Sequence, residues 1–113
     1  MDNIYKIYNN SIGLSFQWKK DAKLTQIIFR DTGFHLSVKE IEMFIDKVKH
    51  ARLNNSCNDC IQGNNCRSLL LQTPLNKVSI AVSINELKEI EDLFNGTIFQ
   101  LNLNKYLKNI FEN

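Results

Sequence analysis

Three cysteines in one short loop are the residues of this chain whose types and spacing could carry chemistry. Cys57 and Cys60 are separated by two residues, and Cys66 follows in the same segment. Two thiolates at this spacing can bind one tetrahedral ion, and a third cysteine nearby can supply a third ligand. The fourth ligand could be His50, Asp59 or a water molecule, and zinc is favoured over an iron–sulfur cluster because three cysteines and one histidine are an ordinary zinc-binding set. The predicted zinc ligands are Cys57, Cys60, Cys66 and His50.

Two other interpretations of the cysteine loop stay open. The thiols can be incidental parts of a solvated loop, because known structural sites usually combine two close-spaced ligand pairs and this chain has one. The loop can also serve a thiol-dependent redox sensor or enzyme, which requires a cysteine with a lowered pKa. A thioredoxin-like motif is disfavoured, because its first cysteine begins a helix, whereas Cys57 follows a helix end.

The tripeptide Asp31-Thr32-Gly33 resembles the motif of retroviral-type aspartic proteases, which are homodimers of similar subunit length. The adjacent Arg30 would hold the carboxylate ionised, against the proton that the two aspartates of such enzymes share. We therefore predict a three-residue hairpin turn with Gly33 in the left-handed conformation. No serine nucleophile elbow, phosphate loop or His-Glu-x-x-His motif occurs in the sequence, so a non-enzymatic protein is favoured.

Basic and aromatic residues in the first third of the chain could form a strip for single-stranded nucleic acid. They are Phe16, Trp18, Lys19, Lys20, Lys23 and Arg30. Strict alternation of apolar and polar residues from Ile12 to Trp18 instead predicts that Phe16 and Trp18 face the core, which leaves the lysines as a solvated turn. The net charge of +2 is too small to indicate an acidic partner. Nucleic acid is therefore a disfavoured partner.

Two serine-capped helices flank the cysteine loop. Ser37 with Glu40, and Ser83 with Glu86, have the spacing of capping boxes, in which the hydroxyl and the carboxylate each bind an exposed backbone amide. A predicted hairpin precedes each serine, which indicates two β-β-α units and an internal repeat. The predicted boundaries are 27–53 for the first unit, 54–66 for the cysteine loop, 68–95 for the second unit and 97–113 for the C-terminal tail.

The whole chain, 1–113, is predicted to form a single α+β domain, because 113 residues can bury one core. We expect an antiparallel sheet of about six strands, two amphipathic helices on one face, and a short C-terminal helix after a cap at Asn95-Gly96. The consecutive residues Leu69, Leu70 and Leu71 predict a strand buried on both sides. Cover for the second sheet face would come from the C-terminal helix or from a homodimer, and we expect a dimer.

The composition indicates a cytoplasmic protein. The sequence has no secretory signal run and no apolar stretch long enough to span a bilayer, so no membrane association is expected. An odd number of cysteines fits a reducing compartment better than a disulfide framework.

The segment IIFRDTGFHLS, the two capped helices and the ending GTIFQLNLNKYL resemble small bacterial α+β proteins of uncharacterised families. This resemblance covers most of the chain and implies no activity and no functional residue. The sequence therefore predicts a small non-enzymatic binding or regulatory module with a protein partner. The alternative functions are a thiol-dependent redox sensor or enzyme and a nucleic-acid-binding module.

Overall fold

Six strands and two helices follow one another in the computed structural model, which describes residues 4–54, 66–67, 69–75 and 77–111. The elements are β1 (Ile4–Asn9), β2 (Gly13–Trp18), β3 (Asp21–Phe29), β4 (Thr32–Leu36), α1 (Val38–Asn54), β5 (Leu69–Gln72), β6 (Ser79–Val82) and α2 (Ile84–Phe111). The predicted α+β class is confirmed. Neither described helix combines the length and the apolar content that crossing a bilayer requires.

The described strands form two separate sheets, so the prediction of one sheet of about six strands is wrong. β1 to β4 form an antiparallel sheet in chain order, while β5 and β6 form a hairpin of their own. The chain leaves β4 through Ser37 directly into α1, and β5 then packs against α1 instead of pairing with β4. The prediction of two β-β-α units that share one sheet and end in a third helix is therefore wrong as well.

The helix cap predicted at Asn95-Gly96 is absent, because α2 continues through both residues to Phe111. Gly96 serves a contact instead of a cap, since a Cβ at this position would lie 2.5 Å from ring carbons of Tyr8 in β1. At the next position, the Thr97 hydroxyl lies 2.7 Å from the hydroxyl of Ser15 in β2. Small residues thus let α2 approach the first sheet closely and continue as one helix of 28 residues.

Both helices begin at the predicted capping boxes. The Ser37 amide donates to Glu40 Oε1 at 2.9 Å, and the Glu40 amide donates to Ser37 Oγ at 3.2 Å. In α2 the same two bonds join Ser83 and Glu86, at 2.9 Å and 3.1 Å. Each box satisfies two backbone amides that have no partner within the helix.

The turn between β3 and β4 contains two residues, Arg30 and Asp31, and not the three that were predicted. Arg30 adopts the left-handed conformation with φ 56°, while Gly33 lies within β4. A positive φ is unfavourable for a residue that carries a Cβ, so other contacts must hold Arg30 in place. Its guanidinium donates to the Ala81 carbonyl of β6 and forms an ion pair with Glu86.

Four phenylalanine rings meet where the first sheet packs on the two helices. The ring centroid of Phe44 in α1 lies 4.6 Å from that of Phe94 in α2, 5.2 Å from that of Phe34 in β4 and 6.4 Å from that of Phe29 in β3. All three contacts have the edge-to-face geometry that aromatic pairs prefer. Phe44 therefore contacts the three elements that its own helix must join.

The residue of β2 that faces this core is Ser15, although the sequence predicts Phe16 and Trp18 there. Phe16 is buried as predicted but outside this core cluster, and Trp18 is 40% exposed. Ser15 pairs with Ile27, and both residues are fully buried. Phe16 points to the other face of the sheet, where it packs edge-on against Trp18 at 5.5 Å. The small Ser15 side chain leaves room for α2, so the bulky alternate residues of β2 occupy the opposite face.

Candidate functional site

An open groove of about 600 Å³ lies between α1 and β5. Its lining residues are Met43, Asp46, Lys47, His50 and Ala51 of α1 and Leu70 and Gln72 of β5. Polar and apolar side chains share the two walls, and Met43 and Leu70 remain 45% and 70% exposed. Two large apolar side chains that face water on opposite walls of one groove offer a surface that a ligand could cover.

The groove wall from α1 follows from the helical repeat. Residues three and four positions apart lie on one side of a helix, which places Met43, Lys47 and His50 in one row. This row runs beside the buried stripe that α1 packs into the core. The buried residues are Ile41, Phe44, Ile45 and Val48. Lys47 Nζ reaches across the groove to Gln72 Oε1 at 3.4 Å, a long hydrogen bond that a competing group could replace.

One edge of β5 is not paired with any described strand. The Thr73 amide donates to the Val78 carbonyl, so these two residues form a hydrogen-bonded pair at the end of the hairpin ladder. Hydrogen-bonded and non-hydrogen-bonded pairs alternate along an antiparallel ladder. Leu70 and Gln72 therefore direct their amides and carbonyls away from β6. These backbone groups lie on the same two residues that line the groove.

An arginine–glutamate cluster holds the opposite side of the hairpin. Arg67 contacts both carboxylate oxygens of Glu86 at 3.0 to 3.2 Å, and Arg30 Nε lies 3.7 Å from the same carboxylate. Burial raises the pKa of Glu86, but the Ser83 amide and the two arginines outweigh burial and hold the pKa below its ordinary value. Since Arg30 also binds the outward carbonyl of Ala81, part of the β6 edge is already occupied.

The structure describes two of the four predicted zinc ligands. His50 is exposed and lines the groove, and Cys66 is half-buried and lies three residues before β5. Cys57 and Cys60 lie outside the described residues. Within the described part of the chain, no three His, Cys, Asp or Glu side chains come together as a metal-binding group. The zinc site therefore stays a prediction.

The basic and aromatic residues considered for nucleic acid do not form one strip. Trp18 is 40% exposed, and Lys19 Nζ lies 5.1 Å from the ring centroid of Tyr5. Arg30 follows the far end of β3, a strand of nine residues that spans about 30 Å. It is separated from Lys19 by that length and is engaged with Glu86.

The sequence interpretation missed the groove residues of β5. The prediction that the run of three leucines is buried on both sides is wrong, because Leu71 is fully buried while Leu70 is largely exposed. The signal that could have revealed this is Gln72, a polar residue two positions after Leu70 and hence on the same face of the strand. The pair predicts one exposed and one buried face.

Comparison of the chain with protein-family models, with curated proteins and with solved structures finds no match. The groove and the β5 edge are therefore the features from which we infer a function.

Proposed function

We propose that this protein is a small non-enzymatic binding module that holds an extended peptide of a partner protein in the groove, as an added strand on β5. The observation that carries the proposal is the open edge at Leu70 and Gln72. Each of these residues offers one amide donor and one carbonyl acceptor, and backbone bonds of this kind supply affinity when a peptide extends a sheet. The edge also lies beside exposed apolar side chains that such a peptide would cover.

The groove favours a peptide with an apolar side chain at every second position. Side chains of an added strand alternate between two faces, so those on the groove side would lie between Met43 and Leu70. Asp46 and Lys47 form a polar rim that can bind the peptide backbone or its polar side chains. Opposite charges at adjacent positions favour a peptide of low net charge over a strongly acidic or basic one.

Leu70→Pro tests the proposal. Proline removes the outward amide of this residue, but the β5–β6 ladder keeps its bonds because that amide does not point to β6. We expect peptides selected from a displayed library of short random sequences to bind the wild-type protein and to lose more than about tenfold in affinity for Leu70→Pro. Binding can be measured by isothermal titration calorimetry.

Leu70→Thr is the matched control, because threonine keeps the amide and fits a strand. It should bind the selected peptides more tightly than Leu70→Pro does. Hydrogen exchange of the Leu70 and Gln72 amides should also slow when the peptide binds. Equal binding to the proline and threonine variants, or failure to select any peptide, would contradict strand addition.

A structural zinc ion held by Cys57, Cys60, Cys66 and His50 is the second part of the proposal. The spacing of the cysteines supports it, as does the position of His50 in the groove wall beside β5. We expect about one zinc per chain in protein purified without chelator or added metal. Elemental analysis would contradict this part of the proposal if it found less than about a tenth of an equivalent. Cys66→Ser should lower the zinc content, whereas Ser11→Ala, a change at an exposed turn residue, should not.

A further inference from the structure

The last third of α2 projects beyond the core. Every side chain from Asn102 to Ile110 is exposed, in a molecule that is 55 Å long and 25 to 26 Å across. Five exposed side chains from Phe99 onward are nevertheless large and apolar. They are Phe99, Leu103, Tyr106, Leu107 and Ile110, with Phe99 and Tyr106 each 63% exposed. A stripe of this kind is unusual on a solvated helix and marks an interaction surface.

The stripe does not continue the face that α2 packs into its own core. Successive residues of a helix are rotated by about 100°, which places Phe99 about 200° from Thr97. Phe94, Thr97 and Leu101 face the sheet, whereas the stripe runs along the opposite side of the helix. The core-facing row itself ends in Asn104 and Lys108, both exposed. The apolar stripe therefore cannot be a remnant of the core contact and requires a different partner.

We infer that the stripe pairs with the same stripe of a second copy of this chain, as an antiparallel two-helix coil. Phe99, Leu103, Tyr106 and Ile110 are spaced by four, three and four residues, the heptad spacing of coiled-coil contact positions. An antiparallel pair with its two-fold axis between Asn104 and Lys105 sets Phe99 against Ile110 of the other copy and Leu103 against Tyr106. In heptad notation a and d are the two contact positions, and each of these pairs joins an a residue of one helix to a d residue of the other.

The charge beside the stripe and the area of the stripe both fit a contact with a second copy. The positions that flank a coiled-coil contact are occupied here by Gln100, Asn102, Leu107 and Asn109, none of which is charged, so two copies meet without repulsion. The two lysines, Lys105 and Lys108, lie on the outer side. From the exposed fractions, the stripe would bury about 500 Å² per chain, which reaches the lower bound of about 1,000 Å² in total for a specific interface.

The pairing predicts a reversible dimer, and Leu103→Asp tests it against Asn104→Asp. Both changes add one negative charge at neighbouring exposed positions, but only Leu103 lies in the stripe. We expect analytical ultracentrifugation to give a dimer dissociation constant of about micromolar size for the wild type, raised at least about tenfold by Leu103→Asp and little by Asn104→Asp. Circular dichroism would confirm that both variants stay helical.

Cross-linking tests the orientation. A photoreactive benzoylphenylalanine at position 99, in a mixture of isotope-labelled and unlabelled protein, should cross-link between copies to residues near Ile110. Intermolecular cross-links to residues 99–103 would indicate parallel helices and overturn the antiparallel pairing. A wild-type protein that stays monomeric at high concentration would overturn the inference entirely. So would a monomer whose stripe binds vesicles of anionic lipid, because a membrane surface would then be the occupant.

Discussion

Replacing Phe44 by alanine is expected to lower the free energy of unfolding by about 3–5 kcal/mol. Phe44 is fully buried and packs edge-on against rings from β4 and α2, so its loss leaves a cavity where both helices meet the first sheet. These elements cannot all close on one cavity, because each is also fixed by other contacts. Urea unfolding at one fixed protein concentration would show the loss as a lower midpoint with an unchanged slope.

Met43→Ala is the matched control for this prediction. Met43 is the preceding residue of the same helix, but it is 45% exposed and lines the groove, so its truncation should cost less than about 1 kcal/mol. Phe44→Leu keeps most of the apolar volume and guards against the case in which Phe44→Ala does not fold. We expect Phe44→Leu to fold and to lose an amount of unfolding free energy between the losses of Met43→Ala and Phe44→Ala. Equal losses for Met43→Ala and Phe44→Ala would contradict the central role of Phe44.

The features that the sequence could predict are those decided within one helical turn. Ser37 and Ser83 begin the two helices because each hydroxyl binds an amide only three residues away, and each glutamate returns the bond. Such short-range chemistry does not depend on which strand lies nearby. The helix starts are therefore right even though the sheet arrangement built on them is wrong.

The course of α2 could not be predicted because its apolar residues occupy both sides of one helix. Thr97 and Leu101 face the core, while Phe99 and Leu103 lie on the opposite side. Read in order, Phe99, Leu101 and Leu103 alternate with polar residues and imitate a strand. The glycine at position 96 makes room for the Tyr8 ring of a distant strand, a contact that local patterning cannot reveal.

The residues of the candidate site also fall into those that the sequence could indicate and those that it could not. His50 could be singled out by residue type, as a predicted zinc ligand, and it lines the groove. Leu70 could not, because its importance comes from its backbone groups, and these are available only because β5 is an edge strand. The edge of β5 is open because the hairpin packs on α1 and does not join the first sheet, a long-range property that neither composition nor spacing contains.

Replacing Glu86 by alanine is expected to lower the free energy of unfolding by about 2–3 kcal/mol, the second large effect. The change removes the bond that the Ser83 amide donates to the Glu86 carboxylate, while Ser83 Oγ still accepts from the backbone amide at position 86. It also leaves Arg30, a half-buried residue in an unfavourable backbone conformation, without its carboxylate. Arg67 adds less, because its side chain is 56% exposed and its ion pair is screened by solvent. Glu40→Ala is the control, since it removes the equivalent bond from the Ser37 amide in α1 and Glu40 forms no ion pair with a described residue; it should cost about 1 kcal/mol.

Glu86→Gln separates the charge from the cap, because glutamine can still bind the Ser83 amide. The pKa of Glu86 lies below its ordinary value of 4.5 in the folded protein. Its charge therefore stabilises the fold fully above pH 4.5, and this contribution disappears as the pH falls through the lowered pKa. Urea unfolding of the wild type and of Glu86→Gln should differ at pH 7 and converge in acid. A difference that stays constant or grows below pH 4.5 would show that the two arginines do not stabilise the ionised carboxylate.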